Sequence, residues 1–301
     1  MRSHYHTDGV ISLERSRAAD FLTLTKPELT FLSVLTAMGG AYVAGVQGSG
    51  TTPLLFLHVL IGTLLVGGGA GALNQYIERN FDALMKRTEN RPLPSRRLTP
   101  AEVLRFGVLL SVVGVSYLAL TTNLLTTVLA FATLASYLFL YTPLKRLTWL
   151  STIVGGVPGG LPPLMGWTAV RNEVSGEAWV LFAILFFWQM PHFFSLAWMY
   201  RKDYERAGFP ILSVLDEQGS RTAFQILFHS LGLLASTVLL AVVTDLGMVY
   251  LIGSSVLSFL FILCGVGFFL SRPSVGAARR VFFASLAYLP LLLAIVVIDR
   301  L

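Results

Sequence analysis

Apolar residues in this chain gather into runs close to twenty long, and polar and charged positions fall almost entirely between them. Nine runs stand out, at residues 28–46, 54–73, 103–120, 124–141, 149–169, 178–199, 223–244, 248–270 and 280–298. About twenty residues rising ~1.5 Å each cross the ~30 Å hydrocarbon core of a bilayer, so each run predicts one spanning helix. The expected fold class is an all-α integral membrane protein of nine transmembrane helices. Basic residues test that count, because Lys and Arg concentrate in cytoplasmic loops. Alternating the sides leaves only Arg171 and Arg300, of 22 Lys and Arg residues, in the outer compartment. An inner amino terminus and an outer carboxyl terminus follow.

Composition agrees with the pattern. The 301 residues are 54% hydrophobic and only 13% charged, against about 25% charged in soluble domains. The net charge of +6 reflects topology. Its bases are divided among membrane loops, so the lipid bilayer is an expected partner and nucleic acid is not. Residues 1–20 mix acids and bases without an apolar core, which predicts a flexible cytoplasmic tail ahead of a membrane domain at 21–301. Cys264, the only cysteine, lies inside an apolar run, so it reads as a small buried hydrophobe and no intrachain disulfide exists.

Two inner loops, 74–102 and 200–221, are too long and too charged to be simple connectors. The first opens with Asn74, Glu78 and Asp82, spaced i, i+4 and i+8, which stack on one face of a helix. Oxygen donors gathered there repel one another unless a cation sits among them, and such hard ligands suit Mg²⁺, which binds through one or two carboxylates plus substrate phosphates. Arg79, Lys86, Arg87, Arg91, Arg96 and Arg97 supply the complementary field for a polyanion. The combination predicts a site for a magnesium diphosphate at a membrane surface.

Glycines carry a second signal. Gly67, Gly68, Gly69 and Gly71 form a small-residue face suited to close helix packing. In the fifth run, Gly155, Gly156, Pro158, Gly159, Gly160, Pro162, Pro163 and Gly166 predict an interrupted helix. A membrane tolerates such a break only where protein or a water-filled cavity satisfies the freed backbone groups, so an internal cavity is expected beside it.

The segment NQYIERNFDALMKRTENRPLP resembles the first signature of the UbiA superfamily of intramembrane prenyltransferases, and its RT-x-x-RPL portion resembles the protohaem IX farnesyltransferase branch. Three further segments agree: LTKPELTFL from Leu24, YTPLKRLTWLSTIVGGVPGGLPPLMGW from Tyr141, and WQMPHFFSLAWMYRKDYERAGFPIL from Trp188. The likeness runs from Lys26 through most of the chain and is most specific at Trp188–Phe193.

This resemblance implies the nine-helix UbiA bundle in a bacterial inner membrane, with farnesyl diphosphate and haem B as substrates and Mg²⁺ as cofactor. It assigns Asn74, Glu78 and Asp82 to the first metal motif, with Glu78 where the family usually has Asp. Asp203 falls in the second acidic motif, which here lacks its usual partner one turn on, since residue 207 is Ala. Arg87, Arg91, Lys145 and Arg146, with Lys26, match diphosphate-binding positions. Tyr141, Trp188, Phe193 and Tyr200 could offer ring faces to an allylic cation. His192 and His229 lie roughly 10 Å inside the inner boundary at ~1.5 Å per residue, where imidazole could ligate haem iron. Two other readings share some of these features. A UbiA-type enzyme acting on an aromatic quinone precursor would use the same metal and diphosphate site. A transporter would place ionisable groups near the midplane, where this chain has almost none apart from His.

Overall fold

The computed structural model describes residues 16–46, 51–271 and 273–300. Most of the expected tail, residues 1–15, lies outside the described residues. Its last positions open helix α1 (Arg17–Leu24), where the Ser16 hydroxyl caps the Ala19 N–H and buried Asp20 accepts from Arg97 Nε at 2.9 Å. Then follow α2 (Pro27–Val46), α3 (Pro53–Asp82), α4 (Pro100–Thr121) and α5 (Leu124–Ala135). A π-helical turn at Ser136–Tyr141 joins α5 to α6 (Thr142–Leu144). After these come α7 (Ser151–Arg171), α8 (Gly176–Met199), α9 (Arg201–Arg206), α10 (Leu212–Leu215), α11 (Ser220–Val243), α12 (Met248–Leu270) and α13 (Val275–Ile298).

Local chemistry sets the boundaries. Thr52 and Thr99 cap α3 and α4 with Pro at the first helical position, and Thr99 exchanges bonds with Glu102 in a capping box. Asn123 and Ser274 cap α5 and α13 in the same way. Among the described residues, eight helical segments are long and apolar enough to cross a membrane. They coincide with eight of the nine expected runs, and the protein is a multi-pass membrane protein. The remaining run is α7, 21 residues long but rich in Gly and Pro.

That helix corrects an expectation. It runs unbroken from Ser151 to Arg171 with Pro158, Pro162 and Pro163 inside it. Each proline removes one i→i−4 bond, which lipid could not replace, but α7 is enclosed by α2, α5 and α8. The side chain of Gln189 reaches across from α8 and donates to the Gly156 carbonyl at 2.7 Å. The cavity expected beside this segment is present, bordered by Gly155, Pro158 and Gly159.

One large buried cluster joins α7, α8, α11, α12 and α13, and a smaller one joins α3, α4 and α5. Large apolar side chains such as Leu120, Phe139, Val242 and Leu270 point outward, as lipid solvation allows. Both charged loops meet at one end of the bundle, where the Arg87 backbone N–H donates to Asp203 Oδ2 at 3.2 Å.

Candidate active site

The last turns of α3 carry Asn74, Glu78 and Asp82 on one face, 0%, 6% and 1% exposed. Three buried polar side chains in a row require partners, and each has a cation. Lys26 Nζ donates to Asn74 Oδ1 at 2.5 Å, Lys145 Nζ to Glu78 Oε1 at 2.9 Å, and Arg91 Nη1 to both Asp82 oxygens at 2.8 and 2.7 Å. Asn74 also donates to Thr142 Oγ1 at 3.1 Å. The cations come from three distant parts of the chain, so the acidic face of α3 organises one end of the bundle.

Lys26 reaches its place by an unusual backbone path. It has φ +47° directly before Pro27, a left-handed conformation that a side chain and a following proline both disfavour. Close approach makes the path possible, because a Cβ at Gly71 would meet the Leu24 and Thr25 carbonyl oxygens at 2.9 and 3.1 Å. Gln75 Nε2 then ties α3 to the Thr23 and Leu24 carbonyls, both at 3.2 Å. Burial, followed by the nearby Arg91 guanidinium, lowers the Lys26 pKa to about 7. Burial also works against charge on Lys145, but Glu78, with Tyr141, Tyr137 and Tyr204, more than offsets it and holds that ammonium well above its usual range.

Aromatic rings back several of these cations. Lys145 Nζ lies 4.6 Å from the Tyr141 ring centre, the Arg87 guanidinium 5.4 Å from Tyr200 and that of Arg146 4.1 Å from Phe81. The π-helical turn contributes Tyr137 and Tyr141, and such turns recur at functional sites. Thr88 folds the basic loop back by donating to the Asp82 carbonyl at 2.8 Å.

Two adjoining cavities open from this ladder. A polar one of about 650 Å³ is bordered by Glu78, Asp82, Arg87, Arg91, Lys145 and Tyr204 among others. A largely apolar one of about 190 Å³ runs past Leu32, Ala70, Pro158, Leu185 and Trp188. Lys26, Leu29, Tyr137, Tyr141, His192 and Phe193 border both, so the two form one chamber with a charged end and an oily end.

The remaining expected residues are placed as follows. Asp203 does not border the chamber; besides accepting from Arg87, it lies 3.4 Å from Arg206 Nη1. Arg146 sits behind the wall and donates to the Ile77 carbonyl at 3.3 Å. His229 borders neither cavity, since its Nδ1 lies 2.7 Å from the Gln225 carbonyl and its ring packs among Phe186, Phe187, Phe194 and Phe228. Tyr137, Tyr204, Gln75 and Ser151 border the polar cavity without having been singled out in the sequence. Tyr137 alone had a legible signal, standing one turn before Tyr141.

No group of three or more His, Cys, Asp or Glu is assembled for a metal among the described residues. The donor set still suits a hard cation. Glu78 and Asp82 offer two carboxylates to the polar cavity, and a diphosphate would supply the other oxygens.

A multi-pass helical bundle, one end of which couples paired acids and bases to an apolar chamber, defines a membrane enzyme built for an amphipathic phosphate ester. Residues 33–287 match the UbiA prenyltransferase family, and the chain belongs to that family. A relative from Solibacter usitatus (strain Ellin6076), named protoheme IX farnesyltransferase, is 45% identical over 289 residues, covering 93% of this chain and 98% of its own. Another of that name, from Opitutus terrae (strain DSM 11246 / JCM 15787 / PB90-1), is 39% identical over 286 residues, covering 95% and 96%. The apo structure of a UbiA homolog from Aeropyrum pernix K1 has the same fold, with TM-score 0.74 at 21% identity over 91% of this chain and 98% of that one. So does a UbiA homolog from Archaeoglobus fulgidus bound to GPP and Mg²⁺, with TM-score 0.65 at 12% identity over 92% and 99%.

Proposed function

We propose that this prenyltransferase moves the farnesyl group of farnesyl diphosphate onto a vinyl group of haem B, giving haem O and diphosphate. The observation that carries the reading is the single chamber, charged at the α3 ladder and apolar beyond it, with His192 at the junction. The shared name of full-length relatives at 39–45% identity supports both substrates.

Lys26, Arg87, Arg91 and Lys145 face the polar cavity and bind the diphosphate. In doing so Lys145 and Arg91 exchange Glu78 and Asp82 for phosphate oxygens. The freed carboxylates of Glu78 and Asp82 would hold Mg²⁺, with Asn74 one turn away on the same face of α3. When bound, that ion adds positive charge against the departing diphosphate. Arg146 and Asp203 support from behind, Arg146 against Phe81 and Asp203 by anchoring the Arg87 backbone. The apolar cavity takes the isoprenoid chain and limits water.

The C1–O bond breaks with its electron pair leaving on the diphosphate, and Tyr137, Tyr141 and Phe193 offer ring faces to the allylic cation. The vinyl π electrons then form the new C–C bond. Water adds to the cation left beside the porphyrin and loses a proton, which completes the hydroxyethylfarnesyl group. His192 ligates the haem iron and so fixes where the vinyl group lies.

The test uses purified protein in detergent with haem B, farnesyl diphosphate and Mg²⁺, resolving products by mass. Haem O formed only when all three are present is the expected result. Prenylation of a phenolic quinone precursor, with haem left unchanged, would replace the acceptor.

Orientation belongs to the same proposal, with the chamber's charged end facing the cytoplasm of a bacterial inner membrane. Reporter fusions after Arg97 and after Arg206 are expected to read as cytoplasmic, and fusions at Asn172 and the carboxyl terminus as external. Opposite readings from the two loops would break the site, because Arg87 and Asp203 are bonded to each other.

A further inference from the structure

The environment of His192 contains more information than its position. Its Nδ1 lies 2.8 Å from the hydroxyl of Ser285 on α13. That hydroxyl has a single proton, and its oxygen is also 2.6 Å from the Phe282 carbonyl oxygen. A carbonyl cannot donate, and two oxygens that close need a proton between them. The Ser285 proton is therefore committed to Phe282, and the contact with His192 is made by an Nδ1–H donor. In a neutral imidazole the lone pair then resides on Nε2. Nε2 has no hydrogen-bond partner among the described residues, and the ring borders both cavities.

Several contacts hold the ring in this pose. Trp188 stacks on it, centroids 5.4 Å apart and planes 21° apart, and Phe282 lies 4.7 Å away on α13. Trp188 Nε1–H in turn donates to the Ser285 backbone carbonyl at 2.9 Å. Ser285, fully buried, thus fixes both the imidazole and the indole that covers it. The Gln225 carbonyl holds His229 as the same tautomer, but that ring faces neither cavity, so it is the unpartnered Nε2 of a cavity-lining ring that sets His192 apart as a ligand.

We propose that Ser285 is a positioning residue for the acceptor substrate: it holds His192 as the Nδ1–H tautomer and presents the Nε2 lone pair to haem iron across the chamber. This rests on the reading of haem B as acceptor and His192 as its ligand. Serine here acts as the outer partner that metal-bound histidines generally have, orienting the ring and raising its basicity.

The experiment titrates haem B into purified wild-type protein and into Ser285→Ala, Ser285→Thr and His192→Ala. It records haem affinity, the iron–histidine vibration of the ferrous complex and, as a check on folding, farnesyl diphosphate affinity. Ser285→Ala is expected to bind haem about tenfold more weakly, the lower end for loss of an outer partner. Its iron–histidine vibration moves to lower frequency while farnesyl diphosphate affinity stays unchanged. Ser285→Thr, which keeps the hydroxyl, restores both haem readouts. If Ser285→Ala matches wild type in affinity and vibration while His192→Ala abolishes the vibration, the role of Ser285 is overturned and His192 stands as ligand. Parallel loss of haem and farnesyl diphosphate binding in Ser285→Ala would mark a packing role and overturn it too. Wild-type protein that binds no haem would overturn the acceptor reading itself, a result distinct from the other two.

Discussion

Asp82→Ala is expected to lower kcat/KM for prenyl transfer by about 10³-fold or more, with no recovery as Mg²⁺ is raised. The size of the effect comes from two losses at one position. A carboxylate that fits the metal disappears, and Arg91, which gives Asp82 two hydrogen bonds at 2.8 and 2.7 Å, is left without its anchor. Arg91 is one of the groups proposed to bind the diphosphate, so its disorder weakens the same transition state. Asp82→Ala combined with Arg91→Ala should therefore cost much less than the two single effects together, as for residues acting as a unit. Glu78→Asp is a milder change, because the charge stays and only the reach toward Lys145 shortens. Steady-state kinetics across a Mg²⁺ series checks all four proteins. Near-normal turnover of Asp82→Ala with wild-type metal dependence would remove α3 from the chemistry.

Much of this site was legible in the chain, for physical reasons that also mark the limit. Spacing of i, i+4 and i+8 is a property of one helix, so Asn74, Glu78 and Asp82 share a face whatever surrounds them. Helix geometry likewise gives an expected depth for His192 and His229. It does not give azimuth. His192 borders the chamber and His229 packs among phenylalanines because neighbouring helices decide which face turns inward. Pairing across the fold was also hidden: nothing local links Lys26 to Asn74 or Lys145 to Glu78, which are 48 and 67 residues apart. The position of Tyr137 one turn before Tyr141 was legible, but no composition marks the π-helical turn that carries both.

The fifth apolar run shows the opposite case, where a strong signal was read with the wrong consequence. Glycines and prolines weaken an isolated helix, so a break followed from sequence alone. In the bundle the same residues let other helices come close, and α2, α5 and α8 enclose the prolines away from lipid. Small residues served contact more than flexibility.

That interpretation carries the second large prediction, on stability. A Cβ added at Gly166 of α7 would overlap the Ala37 carbonyl group of α2, and one at Gly40 of α2 would overlap the Pro163 carbonyl of α7. Both obstacles are backbone, which cannot swing aside as a flexible side chain does, so the helices must move apart. Gly166→Ala is expected to destabilise the bundle by about 3 kcal/mol, the upper end for overpacking. At roughly 2 °C per kcal/mol, that lowers Tm by about 6 °C. Gly166→Leu should yield no monodisperse protein. Gly267→Ala in α12, where nothing lies within 4 Å of the new methyl, provides the control. An alanine inside a helix should there raise stability by roughly 0.5–1 kcal/mol. Thermal unfolding followed by size exclusion in detergent measures the three. If Gly166→Ala melts with wild type while Gly267→Ala behaves as expected, α2 and α7 can separate freely. The chamber they enclose would then be looser than the α3 ladder requires, because Lys26, at the head of α2, is tied to Asn74.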